Sequence, residues 1–241
     1  MATDRILIVG VGGLGVPALW SLARAGARWL TIVDPDPVEL SNLARQVIFR
    51  TRDIGMPKVE AAARWLGERF PSVSVERHAV TLDASNAARI VAANNFVIDA
   101  TDSPAAKFLI NDTCVAARTP FVYGGVVGMT GQAMTVTPGQ TACIRCVFET
   151  PPDEDQIQTC REAGIVGPVA GAIGEMQADE AMRALRAQTL LLSGKILTYD
   201  ASGPSRVRIA EVRPRPGCGC GAWQQGHREA IAGRVTESRT R

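Results

Sequence analysis

The chain has 241 residues, enough for one large α/β domain or two small ones, and its 46% hydrophobic content is ample for a buried core. Lysine and arginine exceed aspartate and glutamate by only 26 − 24 = 2, so net charge gives no field of the kind that holds nucleic acid. Its apolar runs are strand-sized and Met1–Arg5 lacks the apolar core of a signal peptide, so no membrane segment is expected and the expected location is cytoplasmic. Thiols stay reduced there, so the six cysteines read as ligands, a nucleophile or core residues rather than as disulfides.

In chain order, Arg5 to Val9 is an apolar run that ends in Gly10-Val11-Gly12-Gly13-Leu14-Gly15, and Leu14 to Ala25 repeats apolar residues at helical spacing. With the β-rich run Trp29 to Val33 closing on Asp34, this predicts a βαβ mononucleotide-binding unit. A helix is expected over Pro57 to Phe70, its proline in the first turn and Val59, Ala62, Ala63 and Leu66 on one face. A strand follows over Val73 to Val80, a helix over Ala84 to Ala93, and a strand over Phe96 to Ala100 that runs into Thr101 and Asp102. Cys114 lies on the apolar face of a further helix and reads as core. From Phe121 to Val136 the sequence is glycine-punctuated and β-rich, and Thr150 to Cys160 is a polar loop. Helix resumes near Val166 with a stretch, Gly167 to Gly174, small enough to pack against backbone. Lys195 to Tyr199 and Arg206 to Val212 close the sheet as an antiparallel pair, and the polar tail 221–241 is expected to be flexible.

A glycine loop after a strand lets backbone amides and a helix N-terminus meet phosphate, and Asp34 stands where a ribose-binding carboxylate belongs. No Gly-Lys-Ser/Thr follows, which excludes a Walker A loop. Both NAD and ATP satisfy this much. The next segment carries Asp36, Asn42, Arg45, Gln46 and Lys58, and cations so close to the ribose carboxylate suit a triphosphate that loses pyrophosphate, because charge builds on the leaving group. A solvated polar loop with ordinary surface charges is the alternative for that segment. Asp99 reads either as a carboxylate capping the next helix or as a functional group. Cys143-x-x-Cys146 with Cys218-x-Cys220 downstream suits a structural zinc ion in a Cys₄ site, which would pin the last strands to the domain. His78 and His227 stand apart and support no histidine-centred hydrolase.

GVGGLG, VDPDPVELSNLARQ, GMPKVE, IDATDS, CIRC, TCREAG and the late cysteine pair, in this order from about residue 5 to 220, resemble the E1-like adenylyltransferases of the ThiF/MoeB/HesA family. The resemblance implies a Rossmann-like E1 fold over residues 1–220, a mostly parallel sheet continued by antiparallel strands. It also implies ATP- and Mg²⁺-dependent adenylation of the C-terminal glycine of a small ubiquitin-like sulfur-carrier protein ending in Gly-Gly, as a step towards its thiocarboxylate. Carried over by position, Gly10, Gly12, Gly13 and Gly15 line the phosphates and Asp34 and Asp36 the ribose side. Asn42, Arg45, Gln46 and Lys58 face the triphosphate, with Arg45 the foremost candidate for stabilising the transition state, and Asp102 takes magnesium. Cys160 aligns with a reactive cysteine on a mobile loop, where Arg161 could favour its thiolate, and both a covalent role in sulfur transfer and an inert thiol stay open for it. Cys218-x-Cys220 departs from the family's usual two-residue spacing.

The family's partners are then expected: a second copy of the chain in a homodimer, and a separate sulfur donor, a cysteine desulfurase or a rhodanese. Members carry a helix before the first strand that Met1–Arg5 do not supply, so the expectation is that its arginine is dispensable, that another supplies it, or that the chain departs from the family in activity or assembly. Two alternatives stay open: an NAD(P)-dependent oxidoreductase, which leaves Arg45, Lys58 and the thiols without a task, and a non-catalytic E1-like scaffold subunit.

Overall fold

The computed structural model describes residues 4–151, 164, 166–204 and 206–221. Strand β1 (Arg5–Val9) leads through the glycine loop to α1 (Gly15–Arg24) and β2 (Trp29–Val33), and two short 3₁₀ turns (Leu40–Asn42, Thr51–Asp53) precede α2 (Lys58–Arg69). Then come β3 (Ser74–His78), α3 (Ala87–Ala92), β4 (Phe96–Asp99), α4 (Pro104–Ala117), β5 (Phe121–Val127) and β6 (Thr130–Val136). A short α5 (Ile144–Val147), a 19-residue α6 (Gly167–Leu185), β7 (Lys195–Asp200) and β8 (Val207–Glu211) complete the described elements.

All eight strands form one sheet in the order β3-β2-β1-β4-β5-β6-β7-β8. The pairs from β3 to β5 are parallel and those from β5 to β8 antiparallel, as the sequence predicts. Both faces of the parallel part are covered, which is why β1 is apolar at successive positions. Ile6 and Ile8 face α1, α2 and α6, while Leu7 and Val9 pack with Ile90, Val91, Phe108 and Cys114 of α3 and α4. Cys114 is fully buried, as expected, and burial pushes its thiol far above a free cysteine's range.

The chain leaves β1 towards β2 and β3 on one side and returns to β4 and β5 on the other. The switch point therefore lies between β1 and β4, and the crevice beyond their carboxyl ends is where an open α/β sheet takes ligands. The glycine loop after β1 and the Asp99–Asp102 segment after β4 flank it.

Two expected elements are shorter by three residues or more. β3 ends at His78, and α3 begins at Ala87 because Asp83 organises a turn ahead of it: the Ser85 amide and hydroxyl donate to its carboxylate, and Asn86 Nδ2 donates to the Thr81 carbonyl. The stretch Gly167 to Gly174 packs against backbone as expected: a Cβ on Gly174 would lie 2.4 Å from the Leu14 carbonyl oxygen, so α6 crosses α1 where no side chain fits.

Candidate active site

Gly10 adopts φ +93° and its amide donates to the Val33 carbonyl, so that N–H is already spent; a Cβ there would lie 2.7 Å from the Ala100 carbonyl oxygen. On Gly15 it would lie 1.8 Å from the Gly10 carbonyl oxygen, so these two glycines bring strand, loop and helix together. Gly12 and Gly13 face other groups. Gly12 looks at Gln46 Nε2, and Gly13 at Arg45 Cδ, both 3.9 Å from where a Cβ would stand. A Cβ would therefore meet only side chains at ordinary contact distance at Gly12 and Gly13, where Ala170 Cβ also stands 3.6 Å from the Gly13 position, but would collide with backbone at Gly10 and Gly15.

Asp34 is buried at the end of β2. The Val11 amide donates to its Oδ2 at 2.7 Å and the Asp36 amide to its Oδ1 at 2.9 Å, tying the ribose-side carboxylate to the glycine loop itself. Lys58, 6% exposed, has its Nζ 2.7 Å from Asp36 Oδ2 and 3.8 Å from Asp34 Oδ1. Burial raises the Asp34 carboxyl above its ordinary range, and Lys58 with the two amides opposes that rise.

The Asn42–Gln46 turn is built by its own side chains. Asn42 Oδ1 accepts from the Glu39 amide, its carbonyl accepts from the amides of Arg45 and Gln46, and Arg45 Nη1 donates to the Ser41 carbonyl. Arg45 is thereby wedged between Gly13 and the first residue of α6, Gly167, whose Cβ position lies 3.5 Å from Arg45 Cβ. Gln46 is buried against the loop, and its Oε1 has no hydrogen-bond partner among the described residues. A buried amide oxygen without a partner is an acceptor that a donor group of a bound ligand can satisfy.

Asp99 is fully buried and does not cap the next helix, contrary to one of its two expected roles. Ser103 takes that part, accepting from the Ala106 amide, while Asp99 Oδ1 accepts from the Thr101 amide and hydroxyl. Lys107 and Gln177, which sequence reasoning passes over, hold the same turn: Lys107 Nζ lies 3.3 Å from each Asp99 oxygen, and Gln177 Nε2 donates to the Asp99 carbonyl at 2.7 Å. Gln177 had a faint signal, an amide within a small, apolar helix. Lys107 had none. Asp102, the next acid, is exposed and has no side-chain hydrogen bond or ion pair among the described residues. A free carboxylate beside the crevice at the β1–β4 switch is a hard ligand of the kind magnesium takes.

The four expected thiols meet. The Sγ atoms of Cys143, Cys146, Cys218 and Cys220 lie within 4.8 Å of one another and can hold a metal ion. Cys143 precedes α5, which the Asn111 side chain pins to α4 through the Ile144 amide, and Arg145 adds a two-pronged pair with Asp112. Gly217, at φ +75°, and Gly219 let the shorter Cys218-x-Cys220 turn present both sulfurs.

Cys160 and Arg161 lie outside the described residues, as do His227 and the tail beyond Gly221. His78 is on the edge strand β3, where its ring lies against Glu76 and its carbonyl accepts from the Asp34 amide. An open concavity between α2 and β3, lined by Met56, Glu60, Arg64, Val73 and Arg77, contains none of the expected site residues. No helix among the described residues is long and apolar enough to cross a membrane.

Comparison with known proteins agrees with this geometry. The chain is 38% identical over 218 residues to the SAMP-activating enzyme E1 of Haloferax volcanii, covering 90% of this chain and 80% of that protein. It is 38% identical over 212 residues to the adenylyltransferase and sulfurtransferase MOCS3 of Arabidopsis thaliana, and 42% identical over 185 residues to UBA4 of Yarrowia lipolytica, named likewise. These alignments cover 88% and 77% of this chain, which spans about half of each of those two relatives, 46% in both cases. In fold it resembles E. coli MccB solved with ATP, at a TM-score of 0.80 and 21% identity, over 91% of this chain and 67% of that one. A sequence profile of the ThiF family matches residues 1–220, and with that span and the Haloferax relative together, the chain belongs to the ThiF family.

Proposed function

We infer that the chain is an E1-like adenylyltransferase that activates the C-terminal glycine carboxylate of a small ubiquitin-like sulfur-carrier protein. A carboxylate oxygen of the carrier attacks the α-phosphorus of ATP, the bond to the bridging oxygen breaks, and pyrophosphate leaves with its electron pair. No strong base is required, since the attacking carboxylate is ionised at neutral pH.

The observation that carries this reading is the pairing of the Gly12–Gly13 loop with Arg45 directly against it and Lys58 buried at Asp34. A dinucleotide oxidoreductase has no need of two cations there, because no leaving group develops charge. Retention of both cations and of Asp102 likewise speaks against a scaffold without activity. The names of the relatives, an activating enzyme and two adenylyltransferases, support the same reading.

In this assignment Asp34 takes the ribose, Gly12 and Gly13 leave room for phosphate, and Asn42 and Gln46 shape the wall that sets Arg45. Arg45 and Lys58 offset charge on the departing pyrophosphate. Asp102 would hold Mg²⁺, which supplies charge neutralisation on the phosphates when bound. A separate sulfur donor and a second copy of the chain are the further partners the resemblance implies. The stretch Gly167 to Gly174 offers no support for the second copy, since Val169, Ala170, Ile173 and Gly174 are buried within the chain.

For the thiols we propose zinc in a structural role. Tetrahedral Zn–S bonds of about 2.3 Å set neighbouring sulfurs about 3.8 Å apart, and Cys143–Cys218 and Cys146–Cys220 are each at 3.7 Å. Burial pushes the Cys143 thiol far above a free cysteine's range and the other thiols push the same way, a cost that a divalent cation removes. Four sulfur ligands leave no open position for substrate.

Mass spectrometry of a quenched reaction with ATP and a carrier ending in Gly-Gly tests the function. The carrier is expected to gain one adenylyl group or, when hydroxylamine is present, to become its C-terminal hydroxamate with release of AMP. A carrier left unmodified while ATP is consumed would contradict the reading.

A further inference from the structure

The carboxyl end of β4 contains a charge pair that nothing above employs. Asp99 is 0% exposed, and the Lys107 ammonium reaches back from α4 to within 3.3 Å of both its oxygens. The same ammonium donates to the Gly124 carbonyl of β5 at 2.5 Å and lies 4.8 Å from the centre of the Tyr123 ring. Thr101 donates twice to the Asp99 carboxylate, and Gln177 of α6 grips the Asp99 carbonyl and, at 3.3 Å, that of Val122. Three elements thus clamp one turn. The residue that leaves this turn into solvent is Asp102.

A buried lysine–aspartate pair rarely adds stability over apolar side chains of the same shape, because removing two charges from water offsets most of their attraction. Its use here is geometric and electrostatic. Held from α4, the Thr101–Asp102 turn cannot drift along the crevice, and with Asp99 neutralised by Lys107 the exposed carboxylate of Asp102 is the one left to attract a cation.

We propose that Lys107 is a positioning residue for the nucleotide-bound divalent cation, acting through Asp99 and Thr101 on Asp102. The proposal rests on the reading that Asp102 takes the magnesium of MgATP. Partners that orient a metal ligand commonly change metal affinity by about 10–100-fold when removed, so the effect belongs to MgATP and not to ATP alone.

The test is calorimetric binding of ATP to the full chain, once with Mg²⁺ and once with EDTA. Lys107→Met is expected to weaken MgATP binding about tenfold while metal-free ATP binding stays within about twofold, and Lys107→Arg, which keeps the charge, is expected to recover most of the loss. Asp102→Asn should remove the magnesium-dependent gain, and the double variant should bind no worse than Asp102→Asn alone. Equal weakening with and without magnesium, no weakening, or a further loss in the double variant overturns the proposal. If Lys107→Met does not fold, Lys107→Gln, which can still donate to Gly124 but lacks the charge, is read against the same outcomes. A gain from magnesium that survives Asp102→Asn removes the Asp102 reading and the proposal together; a gain that survives only the Lys107 substitutions removes the proposal and leaves Asp102 standing.

Discussion

At the residue scale the account depends on a few charges placed by short turns. Arg45 has its backbone held by the Asn42 carbonyl and its guanidinium by the Ser41 carbonyl, so it meets the glycine cradle with little freedom left to lose. Removing one such preorganised cation costs about 3 kcal/mol in transition-state stabilisation, roughly a hundredfold in rate. Arg45→Ala should therefore retain the fold and lose about that factor in carrier-dependent pyrophosphate exchange; near-normal exchange would remove Arg45 from the chemistry. Asp34 makes a different prediction. Its folded-state carboxyl is raised above the unfolded value of 3.8 by burial, so the folded chain binds that proton more tightly. Stability from this group is then greatest below pH 3.8 and is lost as pH rises through the folded value. Asp34→Asn should gain stability relative to the parent chain as pH rises from about 4 to 7, while nucleotide binding falls about tenfold with the loss of a charged ribose contact. Denaturation at several pH values together with calorimetry reads both, and a variant that loses stability steadily with rising pH would contradict the assignment.

At the element scale the fold depends on close approaches that glycine alone permits. Gly174 lets α6 lie on the Leu14 carbonyl at the start of α1, which sets the helix that carries the glycine loop. Gly174→Ala should cost about 1–3 kcal/mol through forced separation of the two helices, seen as a lower denaturation midpoint; an unchanged midpoint would mean that the helices part freely. Much of this scale is legible in the sequence. The continuous apolar runs and lengths of the β1, β2 and β4 segments, the apolar spacing of α1 and α2, and the small residues of α6 each follow from local pattern. Less legible are features set by distant partners. Lys107 on a helix reads as a surface charge until β4 and β5 bring Asp99 and Gly124 beside it, and α3 is shortened by an Asp83 turn that competes with helix. Asp99 is open to two readings for the same reason: which group caps α4 depends on the turn after β4, and Ser103, directly before Pro104, stands four residues nearer the helix.

At the scale of the whole molecule, the sheet spans two tasks. Its parallel half presents the nucleotide crevice at the β1–β4 switch, and its antiparallel half ends beside four thiols that tie residues 218 and 220 back to α5. A structural metal there should matter for stability and little for chemistry. Cys143→Ser should lose bound zinc and, for a contribution on the order of 3 kcal/mol, melt about 6–12 °C lower, while exchange activity persists below the new midpoint. One zinc per chain retained by the variant, with unchanged melting, would contradict the site. The central claim, that the crevice activates a carboxylate with ATP, is tested most directly by incorporation of labelled pyrophosphate into ATP. The account predicts incorporation that requires magnesium and a carrier with a free C-terminal glycine carboxylate, and that disappears when that carboxylate is amidated; incorporation at the same rate with the amidated carrier, or none with any carrier ending in Gly-Gly, would contradict it.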